Sequence, residues 1–169
     1  MPERPRVQPQ VVVAQHAGTQ QCVVCHNPHA PKIVAAAAKV VGDAAAGKQR
    51  AASCASCHGT EGISPNDTWP NLAGQSAAYL ARILAAYKSG AQKDVAMTPL
   101  AQALSDADIQ NLAAYYVGLS CNGTPSKPQA GDVAAGQALA AKNCAACHGK
   151  TGVGSNPAWP KLAGQKTGY

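Results

Sequence analysis

Cys54-Ala-Ser-Cys57-His58, taken with Cys22-Val-Val-Cys25-His26 before it and Cys144-Ala-Ala-Cys147-His148 after it, decides what kind of chain this is. The three segments share the pattern Cys-x-x-Cys-His and hold six of the seven cysteines. Two thiols at this spacing on a helical turn are placed to add across the vinyl groups of a haem, and the histidine that follows is placed to ligate its iron. A thioredoxin-like dithiol would follow a strand and open a helix, and a zinc ribbon would pair its cysteine knuckles at short spacing. Neither context surrounds these motifs. The expectation is three covalently bound haem c groups, with His26, His58 and His148 as iron ligands.

The rest of the composition fits a body built around such groups. In 169 residues there is no Phe, aromatics make up 4%, and alanine is abundant. That is little bulk for a core, and a large, mostly apolar prosthetic group would supply it. The net charge of +6 overstates the basicity of the assembled protein, because each haem brings two propionates. Lys and Arg are scattered, with no run and no interleaved aromatics, so no nucleic-acid partner is expected.

No stretch approaches the length of a membrane span; the most apolar run, 33–41, is short and carries Lys39. Membrane association is expected only through sequence outside this chain or through a partner. Met1-Pro-Glu-Arg-Pro-Arg6 shows no apolar segment of a secretory signal. Haem attachment of this kind takes place outside the cytoplasmic membrane, so the expected location is the bacterial periplasm. Both ends look cut, which suggests part of a larger chain or complex.

An internal repeat organises the chain. Gly42-Asp43-Ala-Ala-Ala-Gly47 precedes the second motif, and Gly131-Asp132-Val-Ala-Ala-Gly136 precedes the third. From Cys54 and Cys144 onward the copies align without a gap: His58 with His148, Trp69-Pro70 with Trp159-Pro160, Leu72-Ala-Gly-Gln75 with Leu162-Ala-Gly-Gln165, Tyr79 with Tyr169. What the first copy carries after Tyr79 has no counterpart, and the second copy reads as truncated. Four parts follow: a short haem-binding segment over 1–41, a complete copy over 42–120, a Pro- and Gly-containing linker over 121–130, and the second copy over 131–169.

The complete copy reads as helical throughout. Asp43 to Ala52 is a short Ala-rich helix running into the motif. Ser76 opens a second, with Leu80, Ile83, Leu84 and Tyr87 on one face and Gly90 as its stop. A third starts at Ser105, whose hydroxyl can cap the amide of Asp108, and runs to Gly118.

Met97 is the only methionine besides the first residue. The ordinary reading of a lone Met is core filler. Its position in Asp94-Val-Ala-Met97-Thr-Pro99, read as a loop between two helices, favours the sixth iron ligand, where a thioether would stabilise reduced iron and raise the potential. The carbonyl of Pro70, twelve residues after His58, is a candidate acceptor for the imidazole Nδ1 proton, and Pro160 stands in the same relation to His148. The ordinary alternative for each is a turn proline. Trp69, Trp159, Tyr79 and Tyr169 are expected against the haem edges.

On these residues, 42–120 resembles a class I cytochrome c domain, and 42–169 resembles the tandem dihaem cytochrome c4 family. The resemblance is carried by Cys54-x-x-Cys57-His58-Gly59, Trp69-Pro-x-Leu-Ala-Gly-Gln75, Met97-Thr-Pro99 and Leu104-Ser-Asp-Ala-Asp-Ile-Gln-Asn-Leu-Ala-Ala-Tyr-Tyr116. It implies an all-α fold of small helical domains around covalent haem, His58 and Met97 as an axial pair, and His148 as ligand in the second copy. The N-terminal motif departs from that family. Flanked by His16 and His29, it is similar to segments of multihaem cytochromes in which both axial ligands are histidines, an arrangement that lowers the potential. Cys121 has no place in the family pattern.

The function implied is single-electron transfer from a quinol or a substrate dehydrogenase to an acceptor such as a terminal oxidase or a reductase. The alternative is a haem-containing oxidoreductase subunit with an open iron site acting on a small inorganic substrate.

Overall fold

The computed structural model describes residues 41–120 and 131–169. The motif of Cys22, Cys25 and His26, the flanking His16 and His29, the linker and Cys121 therefore lie outside the described residues. No strand occurs among the described residues. The first copy contains α1 (Ala44–Arg50), α2 (Ala55–His58), α3 (Ala77–Ser89), α4 (Met97–Gln102) and α5 (Asp106–Val117). The second contains α6 (Val133–Leu139) and α7 (Ala145–His148).

Each leading helix begins on an aspartate. Asp43 Oδ1 accepts from the amides of Ala45 and Ala46, and Asp132 Oδ1 from that of Ala135, so amides with no partner inside the helix are satisfied. The two helices then enter their motifs differently. Ala51–Ser53 tightens into a 3₁₀ turn, whereas Ala140–Cys144 widens into a π turn. The span from Gly131 to Cys144 is one residue longer than that from Gly42 to Cys54. The wider turn is where the extra residue goes.

In the first copy α1 packs on α5, and α3 packs on both α4 and α5. The buried core is Ala51, Leu80, Leu104, Ile109, Leu112, Ala113 and Tyr116, with Cys54, Leu72 and Leu84 against it. Glycine sets the α1–α5 approach. A Cβ on Gly47 would stand 2.0 Å from the carbonyl oxygen of Asn111 and 2.9 Å from Tyr115 Cβ. Around Gly136, its counterpart, nothing lies within 4 Å. Gly47→Ala is expected to cost about 1–3 kcal/mol or more by forcing the two backbones apart. Gly136→Ala in the same 169-residue chain should be neutral or slightly stabilising through helix propensity. Denaturant midpoints of the two variants check this.

α5 starts as expected. Ser105 Oγ accepts from the Asp108 amide while Asp108 Oδ2 accepts from the Ser105 amide, a reciprocal cap. α3 occupies Ala77–Ser89 and stops at Gly90 in the left-handed region, φ 76°. The serine just ahead of it makes no cap: Ser76 Oγ donates to the carbonyl of Pro157 in the second copy. Met97 also differs from expectation. It is the first residue of a helical turn, not part of a loop. Asp94 Oδ1 accepts from the amides of Ala96 and Met97, and Pro99 falls in the first turn, where a missing N–H costs no helical hydrogen bond.

Candidate haem sites

The geometry of each site is local to one turn and one loop. His58 N donates to the Cys54 carbonyl at 2.9 Å and Cys57 N to the same carbonyl at 3.3 Å, so the three side chains share one turn of helix. Gly59 ends that turn at φ 78°, ψ 153°. A Cβ there would meet the carbonyl oxygen of Ile63 at 2.0 Å, which reserves the position for glycine. The chain then folds back, with the amides of Leu72 and Ala73 both donating to the Gly62 carbonyl. Gly74 N donates to Tyr116 O and fastens the loop to α5.

This return path brings Pro70 over His58. The Pro70 carbonyl oxygen lies 2.9 Å from His58 Nδ1, and His58 is 6% exposed. A carbonyl can only accept, so Nδ1 carries the proton and Nε2 holds the lone pair with which an imidazole binds a metal. The second copy repeats the arrangement. Pro160 O lies 3.0 Å from His148 Nδ1, Gly149 ends α7 at φ 73°, and Leu162 and Ala163 donate to Gly152. His148 itself is half-buried.

These residues fit covalent haem better than a bare metal ion. Cys54 and Cys57 form no disulfide and are half-buried. Among the described residues no three His, Cys, Asp or Glu side chains converge on a common point. Half of the buried apolar residues of the first copy are alanine, Ala51, Ala73, Ala86, Ala101 and Ala113, while Trp69, Val95 and Leu100 stay exposed. So small a core leaves apolar surface for a flat prosthetic group to cover. Met97 is half-buried on α4, apart in sequence from the loop of His58 and Pro70. Asp94, which caps it, has a carboxyl held below the usual range by the amides of Met97 and Ala96.

Tyr79 and Tyr169, expected against the haem edges, are neighbours across the two copies. Their hydroxyls are hydrogen-bonded, and Arg82 lies 5.3 Å from the Tyr79 ring centre. Burial, with Tyr169 second, pushes the Tyr79 hydroxyl up to about 12. Sequence reasoning gave no role to Gln75 or Gln165. Their side chains cross between the copies: Asn71 N donates to Gln165 Oε1 at 2.7 Å, and Lys161 N donates to Gln75 Oε1 at 2.7 Å. Recurrence of Gln at the same place in both copies was the available signal. Lys166–Asp67, at 3.6 Å, adds an ion pair across the same boundary.

Comparison with known proteins agrees with this architecture. A family model described as cytochrome C oxidase, cbb3-type, subunit III matches residues 42–115, and the cytochrome c model matches residues 133–169. Cytochrome c4 of Pseudomonas aeruginosa is 37% identical over 141 residues, covering 78% of this chain and 69% of that protein. The thiosulfate dehydrogenase electron acceptor of Thiomonas intermedia is 37% identical over 135 residues, covering 74% of this chain and 62% of that one. The crystal structure of reduced recombinant cytochrome c4 from Pseudomonas stutzeri superposes with a TM-score of 0.68 at 33% identity, covering 75% of each chain. Two copies of a histidine-bearing loop, facing each other in an all-helical fold and matched along most of their length, place this chain in the cytochrome c4 family of class I c-type cytochromes, periplasmic electron-transfer proteins with covalently bound haem c.

Proposed function

We propose that the chain is a three-haem electron carrier that takes single electrons from a periplasmic dehydrogenase and delivers them to an oxidase or reductase, without bond-making chemistry of its own. The observation that carries this reading is the matched pair of His58–Pro70 and His148–Pro160 contacts, each presenting an imidazole Nε2 beside a Cys-x-x-Cys turn. When bound, haem supplies a one-electron iron couple at each site. The chain supplies the rest. Cys54 and Cys57, and likewise Cys144 and Cys147, anchor the group. His58 and His148 donate to iron with their rings held by Pro70 and Pro160, and the Met97 thioether completes the first of these sites. Trp69 and Trp159 border the edges.

Cys22, Cys25 and His26 are assigned a third haem, with His16 or His29 as the second histidine. The parts proposed are a haem-binding segment over 1–41, a cytochrome c domain over 42–120, a linker over 121–130 and a second cytochrome c domain over 131–169. A sulfur-compound dehydrogenase is the donor suggested by the name of the Thiomonas relative. Among the described residues no helix is long and apolar enough to cross a membrane.

Intact mass and a haem stain of the denatured chain test the count: three covalent haems per polypeptide are expected. Exposure of the reduced chain to carbon monoxide tests the carrier reading. The haem of 42–120 should stay unreactive; rapid binding there would favour an open iron site and an oxidoreductase subunit.

A further inference from the structure

The boundary between the two copies is held by reciprocal hydrogen bonds that end on the peptides beside the iron-ligating histidines. Gln165 embraces Asn71, accepting its amide at 2.7 Å and donating Nε2 to its carbonyl at 3.1 Å. Gln75 does the same to Lys161, at 2.7 and 3.0 Å. Each glutamine oxygen also accepts the amide of the next residue in its own copy, Ser76 at 2.8 Å and Lys166 at 2.9 Å, so its position is set from both sides. Asn71 Nδ2 reaches Gly164 O at 2.9 Å, and Lys161 Nζ reaches Gly74 O at 2.7 Å, completing a pseudo-twofold pattern.

Asn71 and Lys161 directly follow Pro70 and Pro160. The Pro70–Asn71 peptide therefore engages His58 Nδ1 at its carbonyl end and Gln165 of the other copy at its amide end. The Pro160–Lys161 peptide stands likewise between His148 and Gln75. An amide whose N–H donates has a more negative carbonyl oxygen, and hydrogen bonds in such a chain strengthen one another. A stronger acceptor draws the Nδ1 proton and makes the imidazole a better electron donor to iron, which favours the oxidised state.

We propose that Gln165 and Gln75 are positioning residues acting in trans: Gln165 lowers the potential of the haem ligated by His58, and Gln75 that of the haem ligated by His148. The inference rests on the reading of His58 and His148 as iron ligands. Its consequence is that each copy contributes to the potential of the haem held by the other.

The test is a spectroelectrochemical titration of the full chain carrying Gln165→Leu, with the redox wave of the first copy identified by its response to Met97→His. Loss of the acceptor should move the reduction equilibrium of the His58 haem roughly three- to tenfold toward the reduced form, about 30–60 mV at 59 mV per decade. The His148 haem, in the same copy as the mutated residue, should move much less. Gln75→Leu should show the converse. Gln165→Glu keeps an acceptor oxygen and should bring the His58 haem back to or below its native potential. The crossed pattern cannot come from general loosening, which would shift both haems alike.

Equal shifts at both haems, or a larger shift in the mutated residue's own copy, would overturn the inference while leaving the carrier reading intact. A native chain without covalent haem at Cys54 and Cys57 would remove both.

Discussion

Replacing Cys54 and Cys57 together by alanine is expected to unfold residues 42–120 as well as to strip them of colour. The described core around α1, α3 and α5 contains only five buried apolar side chains larger than alanine: Leu80, Leu104, Ile109, Leu112 and Tyr116. Emptying the space of even one large side chain costs about 2–5 kcal/mol, and a haem fills the space of several, against a typical domain stability of about 5–15 kcal/mol. The measurements are intact mass, which should fall by one haem, and limited proteolysis with far-ultraviolet circular dichroism, which should show 42–120 digested and its helicity lost. A variant that keeps native helicity and resists protease would show that the polypeptide packs without the group.

Met97→His should produce the largest change in potential of any single substitution. Exchanging a thioether for an imidazole removes a ligand that favours reduced iron, and axial ligation spans roughly 0.8 V among haem proteins, so a drop on the order of 100 mV or more is expected at the first-copy haem. Met97→Ala should instead leave a coordination position to which carbon monoxide binds on reduction. The two variants together separate a ligand from a packing residue: core filler replaced by histidine or alanine would lower stability with little movement of the potential. Asp94 fixes the first turn of α4 through the amides of Ala96 and Met97. Asp94→Ala should therefore weaken the same site in milder form.

Those parts of the fold that depend on side-chain pattern were legible in the sequence. The periodic apolar face and terminal glycine of Ala77–Ser89 gave its bounds, and Ser105 with Asp108 marked the start of α5. The twelve-residue spacing of His58 and Pro70 pointed to a contact that the structure places at 2.9 Å. Met97 is expected in a loop between two helices, and it opens a helical turn instead. A capping aspartate and a first-turn proline are also compatible with a helix start, and local composition does not distinguish the two.

The boundary between copies was not legible for a different reason. Gln75 and Gln165 bind main-chain groups of Asn71 and Lys161, so the partners need share no side-chain chemistry, and recurrence of Gln in both copies marks the position without naming what it pairs with.

The π turn at Ala140–Cys144 bears on how chains of this kind tolerate change in length. One residue added to a regular helix swings everything ahead of it by about 100°. Here the surplus is taken up within a single widened loop of backbone, and His148 meets Pro160 much as His58 meets Pro70. The turn that carries His148 is thus mechanically insulated from its own approach. Insertions can gather in the leading helix without disturbing the contact of His148 with Pro160.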